Sequence, residues 1–141
     1  MPVRNPSEIA AFDAAAAFDA VETAADGLIY SFIEFDLDDF NPIYVDDATL
    51  NFYEDEEQML QHFEEIHSFA NLDFMEMELF TNDLFPIADE VQYLTITMDY
   101  LKIVRAYRDE HGVFLAIQPD EPVVPLMSAF DETVATEIDG E

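Results

Sequence analysis

The side chains best suited to bind an anion are three cations that follow one another closely near residue 105. The chain has four Lys and Arg residues against 33 Asp and Glu, and Lys102, Arg105 and Arg108 are three of those four. On a strand, Lys102 and Arg108 share one face and Arg105 points to the other. We expect them to pair with carboxylates on neighbouring strands, since Arg can bind a carboxylate through two parallel hydrogen bonds. The alternative is a site for a small anion or an acidic partner.

Histidine and glutamate side chains on one predicted helix have spacings that raise the question of metal binding. His62 and His67 lie about 140° apart around a helix, unlike the one-turn spacing of helical zinc sites. Glu64 and His67 have the Glu-x-x-His spacing of di-iron sites, which need a second such motif and two further Glu residues. We therefore predict no metal site and expect both histidines on a solvated face. His111 is expected in a surface turn.

Other kinds of chemistry find little support in the residue pattern. Residues 36–41 are rich in Asp, but they lack the central Gly and terminal Glu of a calcium-binding EF-hand loop. The chain has no Cys and only three Gly, which argues against thiolate chemistry and a glycine-rich phosphate loop. No Ser lies in a Gly-x-Ser-x-Gly motif. We predict no catalytic residue and no cofactor, so the chain is not expected to be an enzyme.

The formal charge of −29 limits the partners of this chain. Nucleic acids and anionic membranes attract proteins through clustered Lys and Arg, so neither is predicted as a direct partner. Carboxylates occur in every segment, which is typical of a salt-rich, halophilic cytoplasm whose counterions screen their repulsion. The alternative is an acidic nucleic-acid mimic whose carboxylates inhibit a basic DNA- or RNA-binding protein.

The apolar content predicts a folded chain. Half of the residues are hydrophobic, with 13 Phe and 6 Tyr, which is too hydrophobic for a disordered polyanion. We predict one α+β domain over residues 1–135 and a frayed acidic tail over residues 136–141. No uncharged run is long enough to span a bilayer, and the first residues do not resemble a signal peptide. A cytoplasmic protein is expected.

The N-terminal segment has the pattern of a helix start. Asn5 can cap, Pro6 is pre-set for the first helical position, and Glu8 completes a capping box. An Ala-rich helix is therefore expected over about residues 6–25.

Two strands and a second helix are predicted next. Aromatic and β-branched residues favour antiparallel strands at 28–36 and 43–45, whereas residues 48–53 fit either a strand or a short helical turn. Asp55 and Gln58 have capping-box spacing ahead of an amphipathic helix. The apolar stripe of that helix consists of Met59, Phe63, Ile66 and Ala70.

The second half of the chain is predicted to form a three-stranded meander and a last helix. Residues 71–85 fit both a strand and a helix, and we favour a helix. The last helix follows Asp120 and has an apolar side at helical spacing formed by Val123, Met127, Phe130 and Val134. The three strands are expected at 91–98, 101–107 and 112–118, the last two joined by a polar turn at 108–111.

These elements define the expected fold class. Their order, α-β-β-α(α)-β-β-β-α, predicts an α+β protein with a five-stranded, mostly antiparallel sheet and helices packed on it. The same order occurs in profilin-like and roadblock-type scaffolds, which usually act by binding partners or by dimerising. Fold similarity alone does not determine function.

Three stretches carry a further resemblance, at residues 30–36, 39–47 and 112–120. They resemble a group of small acidic haloarchaeal proteins of unknown function, and the resemblance covers most of residues 28–134. It implies a salt-rich cytoplasm and no established activity.

An apolar cluster on residues 71–85 is a candidate partner surface, formed by Phe74, Met75, Met77 and Phe80. Burial in the core is the alternative, although Met-rich patches suit adaptable recognition. We predict a non-enzymatic interaction or regulatory module that binds another protein, with a homodimer as one form of that interaction.

Overall fold

The computed structural model describes residues 3–10, 12–85, 87, 91–108 and 110–139. Within these residues the chain forms six strands, five α-helices and one π-helical segment at Phe80–Leu84. The strands are β1 Val3–Arg4, β2 Ile29–Phe35, β3 Phe40–Val45, β4 Tyr93–Thr97, β5 Lys102–Arg108 and β6 His111–Ile117. The helices are α1 Ala14–Ala24, α2 Asp47–Asn51, α3 Glu56–His67, α4 Ala70–Leu79 and α5 Val123–Asp139.

The strands form one antiparallel sheet in the order β1-β3-β2-β6-β5-β4. The predicted α+β class and antiparallel meander are confirmed, but the predicted five strands were wrong, because the described residues form six. The missed strand, β1, places Val3 opposite Val45 and Arg4 opposite Tyr44. Two residues are too few to show the period-two pattern on which a strand prediction depends.

One face of the sheet is covered by α1 and α5, which pack against each other. Fully buried side chains from both helices meet those of the sheet here, including Phe18, Phe130 and Leu115. Met127 and Val134 are buried as well, so the apolar side predicted for the last helix faces the core. This closely packed layer is the main core of the molecule.

The other face carries α3 and α4, and its apolar contacts divide into two smaller clusters. Met59 and Phe63 of α3 pack on Ile33 and Val45, as the predicted stripe requires. Met77 of α4 packs on Phe35 and Tyr107. Ile66 is half-buried at the edge of the first cluster, and the side chain of Ala70 lies outside the described residues.

The predicted helix over 6–25 was wrong at its N-terminus. Helix α1 begins at Ala14, after Asp13, whose carboxylate accepts from the backbone N–H groups of Ala15 and Ala16. Ala11 of the predicted helix lies outside the described residues. The local pattern of Asn5, Pro6 and Glu8 was outweighed by a contact distant in sequence.

That contact is the carboxylate of Glu34, which is fully buried. Its oxygens accept from the backbone N–H groups of Glu8 at 2.6 Å and Ala10 at 2.9 Å. They also accept from Ser7 Oγ at 2.9 Å and Asn41 Nδ2 at 2.7 Å. A buried carboxylate needs such donors, and here they come from the segment that local sequence assigned to a helix.

The structure defines the type and extent of three shorter elements. Residues 47–51 form helix α2, which settles the ambiguity at 48–53 in favour of a helical turn. Residues 71–85 are helical up to Leu84, as we favoured, although Phe80–Leu84 is a π-helix rather than an α-helix. Strand β3 starts at Phe40, three residues before the predicted start.

The predicted starts of α3 and of the last helix are confirmed. Asp55 caps α3 by accepting from Gln58 N, while Gln58 Oε1 accepts from Glu54 N. Helix α5 begins at Val123 and continues to Asp139, past the predicted domain end at residue 135. Residues 140 and 141 of the predicted tail, and Asp109 of the predicted turn, lie outside the described residues.

Candidate interaction surface

Strand β4 forms one edge of the sheet. Met98 N donates to Leu101 O and Tyr107 N donates to Gln92 O, which fixes the phase of the β4–β5 ladder. Antiparallel pairs alternate between hydrogen-bonded and non-hydrogen-bonded. The N–H and C=O groups of Tyr93, Thr95 and Thr97 therefore point away from β5, and no other strand in the described chain pairs with that side.

The sequence of this edge is unusual for such an acidic chain. Tyr93–Thr97 reads Tyr-Leu-Thr-Ile-Thr and contains neither a charged residue nor a proline, although both are common means of blocking an exposed edge strand. Ile96 is 45% exposed, and Met98 and Tyr100 in the following turn are 43% and 88% exposed. The edge is thus open to pairing and apolar at its surface.

Helix α4 and the π-helical segment contribute further exposed apolar side chains on the α3–α4 face of the sheet. Leu94 of β4 belongs to the same apolar cluster as Met77 of α4 and Tyr107 of β5. The exposed apolar side chains of this helical segment are Leu72, Met75, Leu79, Leu84 and Phe85. We call β4, the turn 98–100 and these five side chains the open-edge surface.

The four residues predicted as a partner surface occupy different environments. Met77 is buried, and Phe74 packs edge-on against Tyr107 with ring centroids 5.1 Å apart. Phe80 is half-buried and stacks on Phe85 at 6.1 Å. Met75 is 67% exposed. Met75 is thus on the surface, whereas Phe74 and Phe80 are partly buried and Met77 is buried. The role of these four residues in partner binding stays a prediction.

The three clustered cations lie on the two faces of the sheet, as expected for a strand. Lys102 and Arg108 lie on the α1–α5 face, where Lys102 Nζ donates to Glu121 O at 2.7 Å. Arg108 pairs with Asp131 of α5 and lies over the Phe130 ring at 5.1 Å. Asp131, a carboxylate partner of Arg108, is therefore on a helix and not on a neighbouring strand. A shared anion site for all three residues stays untested.

Arg105 lies on the α3–α4 face, in a groove between α3 and the sheet. The inner part of this groove has a volume of about 40 Å³ and is walled by aromatic side chains that include Phe35, Phe40 and Phe63. The outer part, about 300 Å³, lies between α3, Phe69 and Ile103. Arg105 lines both parts.

We predicted a solvated pair of histidines; His62 is exposed as predicted, whereas His67 is not. His67 is half-buried in the groove, where its ring contacts Phe35 and Phe40 and its Nε2 lies 2.7 Å from Asp36 O. That distance fits an Nε2–H donor to the carbonyl. His62 is exposed and its Nδ1 lies 2.6 Å from the Tyr53 hydroxyl. His111 is the first residue of β6, opposite Arg108 in the register of the β5–β6 strand pair, and does not lie in a turn.

The acidic loop after β2 is organised by its own backbone. Asp36 Oδ1 accepts from the N–H groups of Asp38 and Asp39, each at 2.8 Å. In the part of the chain that the structure describes, no three His, Asp or Glu side chains come together in a way that could hold a metal ion. The described helices also include none that is long and apolar enough to cross a membrane.

Sequence reasoning missed Glu34 and the groove. Glu34 interrupts the apolar run from Ile33 to Phe35, and a carboxylate in the middle of a buried strand is a signal that it will attract distant donors. The groove had no comparable signal, since the walls of its inner part alone come from four strands and one helix.

The architecture defines a three-layer α+β protein with α1 and α5 on one face of the sheet and α3 and α4 on the other. A crystal structure of a Roadblock/LC7 domain from Streptomyces avermitilis has the same fold, with a TM-score of 0.55 and 8% identity. The match covers 86% of this chain and 92% of that chain. It confirms the predicted roadblock-type arrangement, as a likeness of fold alone. No family model and no curated protein matches the sequence.

Proposed function

We propose that this protein is a non-enzymatic interaction module that works as a homodimer, with two copies joined along their β4 strands. The observation that carries this proposal is the open β4 edge, which presents three outward backbone positions and no charge. Edge strands of this kind form β-sheet continuously across two chains, because main-chain hydrogen bonds supply the affinity.

A second copy is the partner that best fits the charge distribution. Each copy carries a formal charge of −29, so most approaches bring carboxylates together. An approach along β4 brings uncharged residues together instead. Antiparallel pairing about a two-fold axis would place the two Thr95 residues opposite each other, with Tyr93 of each copy opposite Thr97 of the other. The exposed side chains of α4 would then add apolar contact on one side of the joined sheet.

The fold supports an interaction role, because roadblock-type scaffolds usually act by binding partners or by dimerising. We also propose that residues 1–135 form one domain. A further proposal is that the protein belongs to a salt-adapted cytoplasm, such as that of a haloarchaeon. Its support is the ratio of 33 acidic residues to four basic ones, because concentrated counterions would screen the repulsion between the carboxylates.

Sedimentation equilibrium in about 2 M KCl, where the Debye length is below about 3 Å, tests the dimer. We expect a mass of twice the 16.1 kDa of one chain. Thr95→Pro removes an outward N–H group and leaves the β4–β5 hydrogen bonds in place. It should weaken the dimer about thirtyfold, or about 2 kcal/mol, because the substitution is present in both copies and removes two hydrogen bonds from the interface.

Thr95→Val is the matched control, because it changes the same side chain and keeps the backbone N–H. We expect this variant to dimerise like the wild type. Near-ultraviolet circular dichroism on the tyrosines checks that both variants are folded. A wild-type monomer at every concentration would refute the proposal, and so would equal association of the Pro and Val variants.

A further inference from the structure

The groove between α3 and the sheet combines aromatic walls with a single guanidinium. Phe35, Phe40, Phe63, Tyr107 and Phe114 line the inner part. The outer part, at about 300 Å³, is at the small end of the range for ligand sites, which is roughly 300–1,000 Å³. Such a site suits a compact apolar molecule rather than a polymer.

Arg105 gives the groove its charge preference. The other three cations lie elsewhere: Arg4 is over the Tyr44 ring, and Lys102 and Arg108 are on the opposite face of the sheet. Arg105 has an interaction within the protein, but a guanidinium carries five N–H donors and can serve a second acceptor. A guanidinium held among aromatic rings in low dielectric favours a planar anion that accepts two hydrogen bonds.

The surroundings restrict that anion to a single charge. Glu65 lines the outer groove, and the chain as a whole carries −29. A phosphate or a dicarboxylate would meet this field with a second charge that Arg105 does not neutralise. Two His rings lie nearby: His67 lines the inner part with its Nε2 on Asp36 O, and His62 lines the outer part with its Nδ1 on the Tyr53 hydroxyl.

We infer that the groove binds a small monocarboxylate with an aromatic or short aliphatic body, its carboxylate on Arg105 and its apolar part in the outer groove, against Phe69, Ile103 and Phe114. This ligand site goes beyond the proposed dimer and does not depend on it. It would make the domain a sensor of such acids.

The test uses 4-phenylbutyrate as the probe and 4-phenylbutyramide as its neutral counterpart. Isothermal titration in about 2 M KCl, where the long-range repulsion is screened, should show saturable binding of the acid. We expect the amide to bind at least about tenfold more weakly, because it lacks the charge that Arg105 recognises. Equal binding of acid and amide, or no saturable binding of either, would overturn the inference.

Arg105→Met and Lys102→Met form a matched pair of variants. Both remove one positive charge from β5, but Arg105 lines the groove and Lys102 lies on the other face. We expect only Arg105→Met to abolish the preference for the acid. If both variants weakened the acid equally, the effect would be general electrostatics and the site would be refuted. The acid–amide comparison on wild-type protein decides the question should Arg105→Met fail to fold.

A second copy is the competing occupant of the outer groove, since Phe69 and Ile96 at its margin are exposed. Sedimentation with saturating 4-phenylbutyrate distinguishes the two. An unchanged dimer mass with ligand bound supports a separate ligand site. Binding that dissociates the dimer would show that the groove belongs to the dimer interface and would overturn the inference, while leaving the dimer itself in place.

Discussion

The two edges of the sheet differ in how they are covered. At one edge, β1 pairs with β3, and Asn5 continues the cover by donating from its backbone N–H to Ile43 O and from Nδ2 to Pro42 O. Glu34 then holds the segment through Ser7, Glu8 and Ala10. At the other edge, β4 presents five uncharged residues, and no strand of the described chain pairs with its outer side.

This difference determines what kind of assembly the sheet can form. A sheet with two open edges can add copies at both ends and grow into a fibre, whereas one open edge permits a closed two-fold dimer. The N-terminal cover of β3 therefore has a consequence for association as well as for stability. Substitutions can change one edge at a time and so separate the two roles.

The largest effect is expected at the covered edge, from Glu34→Ala. The substitution removes the acceptor of four hydrogen bonds in the described chain. Ser7 Oγ and Asn41 Nδ2 keep second acceptors in Phe12 O and Pro6 O, whereas the N–H groups of Glu8 and Ala10 lose the carboxylate to which they donate. We expect the free energy of unfolding to fall by about 3 kcal/mol. Release of the N-terminal segment should also expose β3 and produce species larger than a dimer. Denaturant titration and light scattering in molar KCl measure the two effects.

Glu64→Ala provides the control for Glu34→Ala, because it removes one carboxylate from the exposed side of α3. We expect little change in either measurement. Equal stability of the two variants would show that the buried hydrogen bonds of Glu34 do not hold the N-terminal segment.

The next effect concerns salt. Two copies that each carry −29 repel one another, and the Debye length falls from about 10 Å at 0.1 M to about 3 Å at 1 M. The dimer should therefore tighten at least about tenfold over this range, as measured by sedimentation wherever circular dichroism shows a folded chain. Association that weakens with salt would indicate attraction between opposite charges, as expected of a mimic bound to a basic partner.

A smaller effect is expected from the helical part of the open-edge surface. Met75→Glu adds a charge to each copy at a side chain of the open-edge surface that is 67% exposed. In a dimer that uses this surface, the added carboxylates increase the repulsion between the two copies. We expect about fivefold weaker association, or about 1 kcal/mol. Phe52→Glu adds the same charge at an exposed apolar residue after α2. If the two variants dimerised equally, α4 would lie outside the interface.

The smallest effect is a pH dependence at Tyr44, beside the covered edge. Burial, followed by the nearby Asp46 and Glu22 carboxylates, raises the pKa of Tyr44 above its ordinary value of 10.0. The unfolded chain then loses this proton first, so the associated stability is present below pH 10.0 and is lost as pH rises through the folded-state pKa.

Tyr44→Phe should therefore lose less unfolding free energy than the wild type between about pH 9 and about pH 11. Tyr100→Phe, at an 88% exposed ring, controls for the loss of one hydroxyl. Identical alkaline slopes for wild type and Tyr44→Phe would contradict the assigned cause.

Much of the fold could be predicted because its signals are local. The strands of the meander have alternating apolar residues, and α3 has both a capping box and a stripe, so these elements appear near their predicted positions. The first helix shows the limit of that reasoning. Its capping pattern at Asn5 is genuine, but the backbone N–H groups of Glu8 and Ala10 bond to a carboxylate 24 residues or more away.

The interaction surface was predictable only in part. The apolar cluster around Met75 was visible as composition, but the strand order that makes β4 an edge follows from long-range pairing. The same holds for the cations, because alternation separated Arg105 from Lys102 and Arg108, whereas the pairing of Arg108 with Asp131 depends on where α5 packs. The alternation of residues along a strand predicts the face of the sheet on which a side chain lies. The residue with which that side chain pairs depends on tertiary packing.

Amide hydrogen exchange at Tyr93, Thr95 and Thr97, followed by NMR in molar KCl over a range of protein concentrations, tests the dimer along β4 most directly. These three amides point away from β5, so they should exchange quickly in the monomer and become protected as the mass doubles. If the mass doubled while these amides continued to exchange quickly, the two copies would associate through another surface, and pairing along β4 would be contradicted.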